Sequence, residues 1–202
     1  MAETGAATAD DPYAPAAAAG IHRLSIPTPF AVGRVNVYLI EDDPLTLVDA
    51  GPNSGRALDE LQTKLGERGH SIDDIELILL THQHIDHLGL VEIVASHSKA
   101  EVAAIDAAVP FVENYSEAAA EDDRFAQELM IRHGITEDVT RALASVSAAF
   151  RAWGSKAKIT RVLRDGERIE MRDRTLEVLF RPGHSPTDTV FHDAERKMLL
   201  AA

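Results

Sequence analysis

Apolar positions recur along the chain in two rhythms, and the switches between them mark its elements. Ile21 to Ile26, Val35 to Ile40 and Leu45 to Val48 are short runs rich in β-branched residues, and each predicts a strand. Asp43-Pro44 supplies a turn between the second and third. From Ser54 to Arg68 the period lengthens: Leu58, Leu61 and Leu65 recur at three and four residues, which lines one helix face, and Gly69 closes it. Ile75 to Leu80 is apolar except at Glu76, the mark of a strand covered on both faces. A short helix over Leu88 to Ser96 and a strand over Glu101 to Ile105 follow.

Between Asp106 and Gly154 the strand signal disappears into Ala, Glu and Arg, which predicts a helical insert. Ala126 to His133, stopped by Gly134, and Glu137 to Trp153 are two of its helices. Strands return at Ile159 to Leu163, Glu167 to Met171, Leu176 to Phe180, Thr189 to His192 and Met198 to Ala201. Asp165-Gly166 reads as a hairpin turn joining the first two. Strands alternating with helices define an α/β domain over residues 21–202. Residues 1–20, alanine-rich and interrupted by Pro12 and Pro15, read as a disordered tail without the basic start and apolar stretch of a secretory signal.

Composition narrows the class. Of 202 residues, 45% are hydrophobic and 26% charged, as in globular domains, and no apolar run approaches the length of a membrane span. The net charge of −13 disfavours nucleic acid as a partner, because an acidic surface repels phosphate. The absence of cysteine removes disulfides and thiolate ligands and suits a cytoplasmic location.

The candidate chemistry sits directly after the apolar Ile75 to Leu80 run, in Thr81-His82-Gln83-His84-Ile85-Asp86-His87. His82 and His84, two apart, share one side of an extended segment. Asp86 and His87 add a carboxylate and a third imidazole. Four such groups within six positions crowd a single ion but divide readily between two neighbouring ions. Imidazole and carboxylate suit zinc, and also iron or manganese. Gly89 lets the backbone pass close to this cluster.

This cluster resembles the His-x-His-x-Asp-His motif of the metallo-β-lactamase superfamily. Val48-Asp49-Ala50-Gly51 resembles its upstream strand-end Asp-x-Gly, and Arg181-Pro182-Gly183-His184-Ser185-Pro186 its Pro-Gly-His segment. The likeness is nearest to the glyoxalase II-like hydrolases. It implies a four-layer αββα sandwich with two mixed sheets. It also implies up to two divalent ions, zinc first: His82, His84 and His184 on one, Asp86 and His87 on the other, with Asp86 the candidate catalytic carboxylate. Asp49 would orient this loop or one of its histidines. The implied reaction is hydrolysis of a small-molecule ester, thioester or lactone by a water or hydroxide held between the ions.

The family's bridging aspartate follows a strand that Lys197 to Ala202 resembles, and its last histidine comes later still. The chain therefore reads as C-terminally truncated, with the second half of the fold incomplete. Two other readings follow: a catalytically inactive metal-binding fragment or pseudoenzyme, for which a homodimer is one arrangement, and a phosphodiesterase, which the acidic charge opposes. Thr187-Asp188 stands where many relatives have Gly-His, and Asp188 reads as a cap on the next strand. Among the insert aromatics, Phe111, Tyr115, Phe125, Phe150 and Trp153 are candidates for an acyl pocket or for plain packing. His22, His70 and His97 are expected at the surface, His192 partly buried on a strand, and His133 at a helix end.

Overall fold

In the computed structural model, which describes residues 12–201, the early strand pattern forms a mixed sheet of six strands. In order across the sheet these are β1 (Ile21–Pro27), β2 (Arg34–Ile40), β3 (Thr46–Val48), β4 (Leu77–Leu79), β5 (Glu101–Ile105) and β6 (Arg161–Leu163). β1, β2 and β3 are antiparallel, and β3 to β6 run parallel. Parallel neighbours need crossovers, and helices supply them. Before β1 lies α1 (Ala14–Ala18). α2 (Gly55–Gly66) links β3 to β4, with the Ser54 hydroxyl capping it at the Ala57 N–H. Its buried face carries Leu61 and Leu65, while Leu58 is half-buried. α3 (Ile85–Leu88) and α4 (Val91–Ser98) link β4 to β5, replacing the single helix expected from Leu88 to Ser96.

The connection from β5 to β6 is the helical stretch itself: α5 (Val109–Glu113), α6 (Tyr115–Arg132) and α7 (Glu137–Phe150), with short 3-10 turns at either end. α6 begins eleven residues before the predicted Ala126, because its first half mixes acidic residues with small alanines and carries no stripe of large apolar residues. Val139, Leu143, Val146 and Phe150 share a partly solvent-facing stripe of α7.

A second sheet contains β7 (Arg168–Glu170), β8 (Thr175–Phe180), β9 (Thr189–Asp193) and β10 (Met198–Leu200), in the order β10-β9-β8-β7. It is antiparallel throughout, where a mixed sheet was expected. Its Leu176, Val178, Phe191 and Leu200 join Leu24, Val37 and Leu39 of the first sheet in one core. Asp165-Gly166 does not close a hairpin: β6 pairs with β5 and β7 with β8, so the turn carries the chain from one sheet to the other. The turn chemistry holds, with Gly166 at φ 78° and the Asp165 carboxylate accepting the Phe180 N–H.

Part of the expected tail is ordered. α1 places Pro15 in its first turn, where no N–H is needed, and Ala16 packs on the core. Residues 1–11, also within that expectation, lie outside the described residues. The Ala19 carbonyl after α1 accepts from Arg174 Nη2, and Arg174 Nε donates to the buried Asp42 at 2.8 Å. That pair ties the β2–β3 turn to the β7–β8 turn and so joins the two sheets. His22 is buried against Glu41 at 2.9 Å rather than exposed, because it lies in the β1–β2 ladder opposite Leu39. Among the described residues no helix is long and apolar enough to cross a membrane.

Candidate metal centre

The carboxyl ends of parallel strands are where an open α/β sheet gathers its loops. Asp49 follows β3 and the Thr81 to His87 segment follows β4, so their parallel pairing, Val48 beside Leu79, sets the two loops side by side. Asp49 is buried, with φ at 61°, and the Leu79 carbonyl accepts its N–H. Its carboxylate accepts the Thr81 N–H at Oδ1 (2.9 Å), and the Thr81 hydroxyl (2.7 Å) and His87 Nδ1 (2.8 Å) at Oδ2. Burial opposes that charge, but the His87 imidazole and these hydrogen bonds outweigh it and hold the carboxyl below its ordinary range. Asp49 thus acts on both the loop and a histidine.

This network sets the proton on His82. The Thr81 hydroxyl gives its one hydrogen to Asp49, so its oxygen accepts from His82 Nδ1 at 2.9 Å. Nε2 of His82 is then the bare nitrogen, and it is buried without a hydrogen-bond partner. Burial, reinforced by His87, pushes this imidazole down to about 3, so Nε2 keeps its lone pair. The same balance runs the other way at His87: burial lowers its pKa, but Asp49 and Asp86 raise it further.

His184 arrives from the second sheet. β8 and β9 pair up to Phe180 and Thr189, and the loop between them carries the Pro-Gly-His segment. Gln83 holds that loop against the histidine segment. Its N–H donates to Thr187 Oγ1 (3.2 Å), and its Oε1 accepts from Ser185 Oγ (3.1 Å) and from the Thr187 hydroxyl. The Thr189 N–H donates to the Thr81 carbonyl at 2.9 Å. Asp188 accepts the Ser185 N–H at 2.8 Å, so its carboxylate ties back into its own loop instead of capping the next strand as expected, and its charge also faces the His82 and His184 rings.

One ligating nitrogen from each of His82, His84 and His184 falls within 4.8 Å of the others. Ring centroids are 4.5 Å apart for His82 and His84, 5.2 Å for His82 and His184, and 4.6 Å for His84 and His184. His84 is held below its ordinary pKa by burial and by His184. A buried, unprotonated and unpartnered Nε2 between two further imidazoles fits a divalent cation. Asp86 and His87 stand beside the trio: the His87 ring lies 4.4 Å from that of His82, and Asp86 Oδ2 is 3.9 Å from His87 Nε2. Among the described residues, no third metal-binding side chain joins that pair.

Gly89 allows α3 to sit this close. A Cβ there would overlap the Asn53 nitrogen and the Trp153 oxygen, which are themselves hydrogen-bonded at 2.7 Å. The spacing of the histidines marked His82 and His84 in advance, whereas His184 was implied only by the resemblance of its Pro-Gly-His segment. Gln83 and Arg174 escaped notice, since a single polar side chain carries no periodic signal.

Two sheets with crossover helices and a three-histidine cluster at their loop ends define an α/β protein with a candidate metal centre. The sequence profile of the metallo-β-lactamase superfamily matches residues 31–202, and the chain belongs to that superfamily. A Bacillus subtilis (strain 168) protein named "Probable metallo-hydrolase YqjP" is 34% identical over 177 residues, covering 87% of this chain and 54% of that protein. The metallo-β-lactamase family protein TTHA1429 from Thermus thermophilus superposes with a TM-score of 0.72 at 30% identity, over 90% of this chain and 58% of that one. The subclass B3 metallo-β-lactamase BJP-1 of Bradyrhizobium japonicum shares the fold, with a TM-score of 0.59 at 22% identity over 86% of this chain and 53% of that one. The chain spans about half the length of these relatives.

Proposed function

We propose that the chain carries the metal-binding part of a hydrolase acting on an ester, thioester or lactone. The supporting observation is the bare Nε2 of His82, buried beside His84 and His184. In this reading those three imidazoles hold the first divalent ion, zinc or else iron or manganese. Asp86 and His87 are two ligands of a second ion. A bound ion would polarise the oxygen under attack and acidify water. Asp49 keeps the His87 ring in place through Nδ1 and, through Thr81, holds the His82 Nδ1 proton, so that the His82 Nε2 faces the site as an acceptor. Gln83 keeps His184 in reach. In this reading Asp86, half-buried with Oδ2 3.9 Å from His87 Nε2, is the carboxylate that takes part in the reaction. A cysteine-free chain suits the cytoplasm, and a net charge of −13 favours a small molecule over a phosphate backbone.

The test is hydrolysis of a small panel of thioesters, esters and lactones by the zinc-loaded chain, with and without a chelator. Chelator-sensitive turnover of at least one panel member supports the reading. If a fully loaded chain turns over none of them, the inactive metal-binding fragment is the better description. Turnover confined to a phosphodiester would favour the phosphodiesterase.

A further inference from the structure

A cavity of about 440 Å³ opens between the histidine loop and the helical insert, with His84 and Asp86 on one side. Aromatic side chains line it too: Phe30 meets Phe150 edge-on at 5.3 Å, and Phe111 meets Tyr115 at 5.9 Å. Asp122 and Asp123 also line it. Asp123 is answered by the Ser147 hydroxyl at 2.5 Å and by Arg151 at 3.5 Å. Asp122 has neither hydrogen bond nor ion pair among the described residues, so the lining holds more acid than base. Burial, Asp123 and Glu121 all raise its pKa, which marks a carboxylate lacking a counter-charge.

Aromatic rings and an uncompensated carboxylate in one cavity suit one chemical class. A cationic group with an apolar surface gains from the ring quadrupoles and from the carboxylate, whereas an anion meets repulsion. We propose that this cavity binds the non-reacting end of a substrate as an alkylated ammonium group, with Phe150 and Asp122 setting the preference. The proposal rests on the hydrolase reading for the adjoining metal centre, but binding alone reads it out.

Trp153 is the single tryptophan, and its ring lies 6.3 Å from that of Phe30, so its fluorescence reports on the cavity. The probes are choline and 3,3-dimethylbutan-1-ol, which share shape and hydroxyl and differ in charge. Choline is expected to bind about tenfold more tightly, between the exposed and the desolvated range of a cation–aromatic contact. Asp122→Asn should cut that preference to about threefold or less, and Phe150→Ala should weaken choline by a similar factor. Both side chains are partly exposed, and circular dichroism checks that the variants fold. Equal affinity for the two probes, no binding of either, or a preference unchanged by Asp122→Asn would overturn the proposal. Choline selectivity without ester hydrolysis would sink the hydrolase reading and leave this one standing. Hydrolysis without selectivity would do the reverse.

Discussion

Asp49 holds Thr81 through both carboxylate oxygens, one on the backbone N–H at 2.9 Å and one on the hydroxyl at 2.7 Å. Since Oδ2 also takes the His87 Nδ1 proton, one buried side chain orients two imidazoles at once. Asp49→Asn would turn an amide N–H₂ toward at least one of these donors. Metal affinity is expected to fall about 10–100-fold, the usual loss when a group orienting a ligand is removed. Competition against a chelator of known affinity measures it. Unchanged affinity in a folded Asp49→Asn protein would show that the histidines need no such support.

Asp42 and Arg174 make a second buried pair, this one purely architectural. Burial works against the Asp42 charge, but Arg174 and the Asp43 and Asp173 N–H groups outweigh it, so its pKa lies below the ordinary value. A carboxylate depressed on folding contributes stability above its unfolded pKa, about 3.9. That stability is lost as pH falls through the lower, folded value. Asp42→Asn should cost about 3–5 kcal/mol at pH 7, because Arg174 is left buried and unpaired. It should also flatten the acid limb of stability below about pH 4 relative to the parent. Urea titrations across this range decide the matter, and an acid limb of unchanged slope would count against the pair.

Leu79 is wholly buried at the end of a strand with parallel neighbours on both sides. Leu79→Ala is expected to cost about 2–5 kcal/mol, and Leu79→Asp to abolish soluble expression. A soluble, cooperatively unfolding Leu79→Asp protein would place this strand outside the core.

Gly89 has no room for a side chain. Gly89→Ala should push α3 from the Asn53–Trp153 hydrogen bond and destabilise the fold by more than about 2 kcal/mol, in the range of overpacked positions. Thermal denaturation reads this directly, and a melting temperature equal to the parent's would contradict the close approach.

Local pattern reached some elements and missed others for physical reasons. β5 was legible to the residue, since Glu101 to Ile105 is a short apolar run with polar flanks. α6 was half-hidden because its first turns carry Glu, Asp and small alanines instead of a stripe of large apolar residues. Asp165-Gly166 announced a turn, but no local signal says which strand β7 will pair with. Phe111, Tyr115 and Phe150 line the cavity, whereas Phe125 points to solvent at 67% exposure; helical spacing alone does not separate them. At the site, the histidine spacing was legible. The hydrogen bonds that set the free nitrogen of His82 and hold the His184 loop in place were not, because Asp49 lies 32 positions from Thr81 and Gln83 lies 104 from Thr187.

The most direct test is metal content by elemental analysis after dialysis against a mild chelator, comparing the parent chain with His84→Ala. The trio is expected to retain about one divalent ion per chain, and the variant close to none, because two imidazoles hold an ion far less tightly. Asp86 and His87, with only two ligands identified, should lose theirs. A parent chain that emerges metal-free, or a His84→Ala protein that keeps its ion, would contradict a metal site built on His82, His84 and His184.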